Sequence, residues 1–152
     1  AILKLEIYTD GSLIKRGDVT AGGYAAVCCR SGQIIKVISG GKRDTTNSRM
    51  ELQAAIVGLK TLKKRRSVAV ITDSQYVMFG ITRWLIDWVR AGWKTKSGKP
   101  VANKDLWIEI SDLCKIHDVE WRWVRGHTNN PFNDRADTVA GIEAGRIITQ
   151  SI

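Results

Sequence analysis

From Val68 to Ile71 the chain reads Val-Ala-Val-Ile, and Thr72-Asp73 closes the run. A strand that is apolar on both faces has to be covered on both faces, which places it at the centre of a sheet with helices on either side. A second strand opens the chain. From Ile2 to Thr9, Leu3, Leu5 and Ile7 share one face, while Lys4, Glu6 and Tyr8 share the other. Asp10-Gly11-Ser12 is expected to end this strand, and the polar stretch to Thr20 reads as a loop. Gly22 to Arg30 and Gln33 to Ile38 read as two further strands around a Ser31-Gly32 turn. Short connections make these first three strands an antiparallel meander.

The remaining segments alternate helix and strand. Ser48-Arg49-Met50-Glu51 fits a capping box. Leu52, Ala55, Ile56, Leu59 and Leu62 follow at helical spacing, with Lys63 to Arg66 closing the C-terminal end. Ser74 to Arg90 reads as a helix broken near Gly80. Gly92 to Ala102 is a basic loop, and Lys104 to His117 a helix with Asn103 as its cap. Val119 to Val124 is the fifth strand, and Asn133 to Ala144 the last helix, stopped by Gly145. The expected fold is α/β: a five-stranded mixed sheet, with three antiparallel strands plus two parallel ones, flanked by helices. Residues 1–145 are expected to form a single catalytic domain and 146–152 a short C-terminal tail.

Composition narrows the setting. The chain has 152 residues, 24 Lys+Arg and 15 Asp+Glu, a formal net charge of +9. A basic surface attracts polyanions: nucleic acid, an anionic membrane or an acidic protein. No apolar run reaches the roughly 18 residues that span a bilayer, and no secretory signal pattern opens the chain. Cys28, Cys29 and Cys114 are odd in number and lack CxxC spacing, which argues against a disulfide framework and a zinc site and fits a reducing compartment. A cytoplasmic, intracellular location is the expectation. The chain opens on Ala1 rather than Met, which fits a processed chain or one cut from something longer.

The acids carry the chemistry. Asp10 and Asp73 each follow a strand. If those strands are parallel neighbours, the two carboxylates lie within about one strand spacing, ~5 Å. Two bare carboxylates that close repel, and a divalent cation resolves the repulsion. Glu51 falls in the first turn of the connecting helix and Asp137 near the start of the last one. Each acid has a plain structural use: turn former for Asp10, capping-box partner for Glu51, helix cap for Asp73, dipole complement for Asp137. Jointly those uses weaken, because independent structural acids have no reason to converge at one end of one sheet. Carboxylate and water ligands suit Mg²⁺ or Mn²⁺.

These residues also carry a resemblance. Thr9-Asp10-Gly11-Ser12, Thr46-Asn47-Ser48-Arg49-Met50-Glu51-Leu52 and Thr72-Asp73-Ser74-Gln75-Tyr76-Val77 resemble the ribonuclease H family. So do Gly92-Trp93-Lys94-Thr95, Trp123-Val124-Arg125-Gly126-His127 and Asn133-Asp134-Arg135-Ala136-Asp137. The likeness is to the cellular type-one enzymes (ribonuclease HI), and it covers nearly the whole chain in order. It implies a ribonuclease H-like fold and a metal-dependent endonuclease that cleaves the RNA strand of RNA–DNA hybrids. It implies Asp10, Glu51, Asp73 and Asp137 as metal ligands and His127 as a catalytic-loop histidine that assists proton handling or product release. With two Mg²⁺ ions (or Mn²⁺) about 4 Å apart, an in-line displacement would leave 5′-phosphate and 3′-hydroxyl ends.

Substrate contacts are expected in two places. Between Trp88 and Lys104 stand Arg90, Lys94, Lys96 and Lys99 with Trp93 among them and no acid, whereas Asp105 to Glu143 hold eight of the 15 acids. Cations interleaved with aromatics suit phosphate contact and sugar packing, and in the resembled family this region grips the DNA strand. Trp84 and Trp107 are expected in the core, and Trp121 and Trp123 under a helix. Asn47 and Gln75 stand beside carboxylates, where amides can read the minor groove and its 2′-hydroxyls. Ser12 is expected to join them, and Thr46 to bind a DNA phosphate or cap its helix. The segment Leu13–Ala21 departs from the family's Gly/Asn/Pro-rich turn and lacks its RNA-contacting asparagine; Lys15 and Arg16 could contact phosphates instead. A second family asparagine is replaced by Ser48. The expected partner is an RNA–DNA hybrid duplex, with no membrane, no obligatory protein partner, and a monomeric state. Intact carboxylates speak against a non-catalytic hybrid-binding module or a basic protein-interaction domain. The basic loop favours the cellular type over a domain excised from a reverse transcriptase.

Overall fold

The computed structural model describes residues 5–126 and 129–151. Strands β1 (Leu5–Arg16), β2 (Val19–Arg30) and β3 (Gln33–Arg43) are followed by helix α1 (Asn47–Lys60) and strand β4 (Ser67–Thr72). Next come α2 (Gln75–Phe79), a π-helical turn (Gly80–Trp84), α3 (Leu85–Arg90), α4 (Lys104–Ile116), β5 (Asp118–Trp123) and α5 (Pro131–Gln150). The five-stranded sheet has the order β3-β2-β1-β4-β5. β1, β2 and β3 pair antiparallel, and β4 pairs parallel with both β1 and β5. This is the expected mixed sheet. β4 lies near its centre, with Val68, Ala69, Val70 and Ile71 all buried. The backbone of Ser31 and Gly32 is left-handed (φ 52° and 76°), as a tight hairpin turn between right-twisting strands requires.

Two layers of helix cover the sheet. On one face, Leu5, Ile7, Cys28, Val68 and Val70 pack with Ala55 and Leu59 of α1. On the other, Tyr8, Val27, Cys29, Ala69 and Ile71 pack with Ala136 and Phe132 of α5. Cys28 and Cys29 thus enter opposite cores as unpaired thiols. A third cluster joins Leu52 and Ile56 of α1 to Val77 and to Leu106, Trp107 and Ile110 of α4. Trp107, fully buried, occupies the space where a side chain at Gly80 would sit; a Cβ there would lie 2.0 Å from the indole. The expected break at Gly80 is therefore a π-helical turn wrapped over a tryptophan.

Several boundaries differ from the sequence reading. β1 does not end at Asp10. It continues to Arg16, paired with β2 to Val19, so Asp10 is mid-strand and the expected loop after it is a hairpin arm. None of the β1 residues of this arm is buried, Leu13 being 39% exposed, so its sequence shows no clean alternation. β3 runs past Ile38 to Arg43 because β2 from Ala21 onward still offers it partners. α1 stops at Lys60, where the Thr61 hydroxyl donates to the Gly58 carbonyl at 2.7 Å, so Lys63 to Arg66 lie beyond the helix. α5 begins at Pro131 and passes through Gly145, so residues 146–150 continue the helix and bury Ile148. Trp84 and Trp123 are 37% and 43% exposed rather than core, since the first lies on the π-helical turn and the second at the end of an edge strand.

The α5–sheet contact is unusually close. Ala136, Ala140 and Ala144 present small side chains to β2, and a Cβ added at Gly23 would lie 2.0 Å from the Ala140 carbonyl oxygen. Backbone cannot yield there as a flexible side chain would. Gly23→Ala is expected to destabilise the protein by about 1–3 kcal/mol, measured as a lowered midpoint in urea; an unchanged midpoint would show that α5 has room to move.

Candidate active site and metal centre

The parallel pairing of β1 with β4 runs from Leu5–Val68 to Thr9–Thr72. One residue beyond it on each chain stand Asp10 and Asp73. The carboxyl ends of parallel strands thus deliver both acids to one place, although one of those strands continues. Glu51 arrives from α1. Its approach depends on Gly11: a Cβ there would lie 2.6 Å from the Glu51 amide nitrogen and 2.8 Å from the Met50 carbonyl carbon. Only glycine lets the first turns of α1 rest on β1 beside Asp10. Asp10, Glu51 and Asp73 each offer a carboxylate oxygen, all within 4.8 Å of one another.

The plain structural uses of these acids are taken by other residues. Thr46, not Ser48, caps α1, its Oγ1 accepting from the Arg49 amide at 3.1 Å, so Glu51 is not a capping-box partner. Ser74 caps α2, its Oγ accepting from the Val77 amide at 3.2 Å. Asn130 caps α5, its Oδ1 accepting from the Phe132 and Asn133 amides at 3.0 and 3.1 Å. Asp137 lies well inside that helix. Asp10 forms no turn.

Burial makes the cluster electrostatically costly. Asp10 is 3% exposed and Glu51 5%. Burial, followed by the neighbouring Asp73 charge, pushes the Asp10 carboxyl up to about 8. Asp137 adds to this through its charge and a side-chain hydrogen bond to Asp10, which places it at the same centre. Burial, then the charges of Asp10 and Asp73, raises Glu51 well above the ordinary carboxylate range. Glu51 Oε2 is buried without a hydrogen-bond partner. An orphaned carboxylate oxygen facing two further acids is the donor set a hard divalent cation takes. These residues fit such an ion.

A contact from β5 helps hold Asp73 in place, and the segment after β5 leaves room for it. The Trp123 indole Nε1–H donates to the Asp73 carbonyl at 3.1 Å. Gly126 leaves space, since a Cβ there would lie 3.0 Å from Asp73 Oδ2. Neither role is read from the sequence, where the signals are Trp123 and Gly126 within Trp123-Val124-Arg125-Gly126-His127. His127 lies outside the described residues.

The substrate candidates fall into two groups. Asn47 and Gln75 are exposed at the first positions of α1 and α2, above Glu51 and Asp73, and Ser12 is half-buried two residues beyond Asp10 on β1. Thr46 is exposed and committed to its cap through the side-chain oxygen. The basic loop is a small hairpin: Lys94 bridges Pro100, and the Thr95 amide donates to the Lys99 carbonyl at 2.7 Å. Lys94, Lys96 and Lys99 are exposed on it, and Arg90 is exposed at the end of α3. Trp88 and Trp93 are only partly exposed and pack on the cluster around Trp107, so much of each ring anchors the loop. A groove of about 450 Å³ runs between Trp84, Trp88, Lys94 and Lys96. Arg49 and Asn103, which the sequence reading treated only as part of a motif and as a helix cap, link this loop to α1. Asn103 makes no side-chain capping bond.

Comparison with known proteins agrees with this geometry. The sequence profile of the RNase H family matches residues 3–144. The chain is 48% identical over 145 residues to the ribonuclease H of Bordetella bronchiseptica, covering 94% of this chain and 92% of that protein. The crystal structure of LC9-RNase H1, a type 1 RNase H with the type 2 active-site motif, matches with a TM-score of 0.80 at 33% identity, covering 96% of this chain and 74% of that one. The fold is also shared, at a TM-score of 0.69 and 20% identity, by LC11-RNase H1 in complex with an RNA/DNA hybrid, covering 95% of this chain and 98% of that one. The chain belongs to the RNase H family.

Proposed function

We propose that the protein is an endonuclease that hydrolyses the RNA strand of RNA–DNA hybrids, leaving 5′-phosphate and 3′-hydroxyl ends. The observation that carries the reading is the buried convergence of Asp10, Glu51 and Asp73, with Asp137 acting on Asp10. Family membership supports the substrate class, and LC11-RNase H1, which shares the fold, is in complex with an RNA/DNA hybrid. Asp10, Glu51, Asp73 and Asp137 would hold Mg²⁺, or Mn²⁺ in its place. When bound, two such ions supply Lewis acidity to the attacking water and to the departing 3′ oxygen.

The chain's own residues do the rest. The carboxylates, packed too closely to be anions alone, stay charged only with cations among them. Asn47, Gln75 and Ser12 border the carboxylates and would contact the minor groove, where the 2′-hydroxyls mark the RNA strand. Thr46 would reach a phosphate with the part of its side chain that the cap leaves open. Arg90, Lys94, Lys96 and Lys99 would hold the DNA backbone, with the outer edges of Trp88 and Trp93 beside it. His127, which follows β5 in the chain, would carry protons near the cut. The chain acts as one catalytic domain in this reading, as a monomer in the cytoplasm, with residues 146–150 part of its last helix rather than a separate tail. Among the described residues, no helix is long and apolar enough to cross a membrane.

The direct test uses labelled hybrid with Mg²⁺. Cleavage of the RNA strand alone is expected, and Asp10→Asn should bind the hybrid yet cut at least about a hundredfold more slowly. Binding by the wild type without metal-dependent cleavage would leave a hybrid-binding module instead. Replacing Lys94, Lys96 and Lys99 together by alanine should raise KM and flatten its salt dependence, because fewer counterions are released. An unchanged slope would remove the loop from the interface.

The acid cluster also sets a pH dependence. Asp10 is raised from 3.8 unfolded to about 8 folded, so the metal-free folded state binds more protons between those values. Its effect on stability is therefore absent below the unfolded value and grows unfavourable as pH rises towards 8. With chelator present, the melting temperature is expected to fall from pH 5 to pH 8.5. Added Mg²⁺ should raise it most at the alkaline end. Asp10→Asn should melt higher than wild type in chelator at pH 8 and gain less from Mg²⁺. A chelated wild type whose melting temperature climbs with pH would contradict this account of the cluster.

A further inference from the structure

The basic loop and the carboxylates belong to different parts of the chain, yet a single substrate would have to meet both. One chain of polar contacts ties the end of the loop to α1, which carries Glu51, and to α2, which follows Asp73. The Tyr76 hydroxyl oxygen accepts from the Asn103 side-chain amide and from the Trp107 indole N–H, each at 3.0 Å. Asn103 Oδ1 accepts from an Arg49 guanidinium N–H at 3.3 Å. Arg49 in turn grips Asp105 with two parallel bonds of 3.0 and 2.7 Å.

The placement of these residues gives the network its meaning. Tyr76 follows Gln75 on α2, three residues beyond Asp73. Arg49 lies on α1 between Asn47 and Glu51. Asn103 ends the basic loop and starts α4, in a left-handed backbone (φ 59°, ψ 28°) that Asn tolerates far better than most residues. Its carbonyl accepts the Leu106 and Trp107 amides, so its backbone is committed to α4. The side chain therefore does not serve its own helix. It spans α1 and α2, the two elements whose first turns border the carboxylates.

We propose that Asn103 is a positioning residue: its amide, clamped between Tyr76 and Arg49, sets where the basic loop stands relative to the carboxylate cluster. This rests on the hybrid-cleaving function proposed above. The two ends of the substrate site would then be held by one side chain that touches neither strand nor metal. Asn103 acts in this way through the loop's cations and not through the chemistry of the cut.

Asn103→Gly keeps the left-handed backbone and removes both amide contacts; Asn103→Asp keeps an acceptor for Arg49 and can accept from the Tyr76 hydroxyl. For Asn103→Gly, KM for the hybrid is expected to rise about fivefold or more, the scale of one lost hydrogen bond, with kcat unchanged. The Mg²⁺-induced rise in melting temperature should also stay unchanged. Asn103→Asp should recover part of the loss. In a chain already lacking the Lys94, Lys96 and Lys99 side chains, Asn103→Gly should cost little more, since contacts acting through one another are not additive. A lowered melting temperature with unchanged KM would leave Asn103 a merely structural residue and overturn the proposal, as would a KM effect of the same size with and without the lysines. A wild type that binds hybrid without cutting it would overturn the underlying function instead.

Discussion

Parallel pairing of β1 with β4 stops at Thr9 opposite Thr72, and the clustered carboxylates are arranged around that stop. The next residue on each strand is an aspartate. Gly11 then lets α1 lie close enough to bring Glu51 into the same space. Any shift of this register by one residue would turn the acids to opposite faces of the sheet. The packing of β4 holds that register: Val68 and Val70 fit the core under α1 and Ala69 and Ile71 the core under α5, and a slip would exchange side chains of different size between them. The core and the site are therefore the same structural decision seen from two ends of the strands.

The cost of that decision is electrostatic. Three carboxylates within 4.8 Å, two of them nearly inaccessible to water, cannot all ionise without help. Every other buried acid in such a place would be expected to find an arginine or a ring of amides. Here Glu51 keeps an oxygen without a hydrogen-bond partner. Arg49, only two residues from Glu51, turns away to Asp105 and Asn103. That pairing keeps one nearby cation away from the acids, so a chain of net charge +9 retains a strongly acidic centre.

Much of this was legible in the residues. The apolar run at Val68–Ile71 implied a central strand, the Ser31-Gly32 pair implied a hairpin, and the acids after two strands implied a shared centre. These signals are local or need only one strand spacing. The errors fell where a distant partner decided. β1 reads as ending at Asp10 because Asp-Gly is a turn former, but β2 pairs with it for several residues more. Gly145 reads as a stop, but α5 runs on because Ile148 is buried beyond it, and one helical glycine costs only about 1 kcal/mol. Ser48 and Glu51 have capping-box spacing, but Thr46 forms the cap and Glu51 is buried beside β1. Trp84 and Trp123 have core-like patterns on a π-helical turn and an edge strand, where no further layer covers them.

The sequence by itself determined which acids are present, which strands are buried, the mixed order of the sheet, and the family, because periodicity and motif identity are properties of short segments. Tertiary structure alone decided that Asp10 lies inside a strand, that Glu51 has lost its capping role, and that Asn103 reaches from the basic loop to α1 and α2. Those facts depend on contacts between residues far apart in the chain. Their energies come from burial and pairing that do not exist until the sheet and its helices have closed around them.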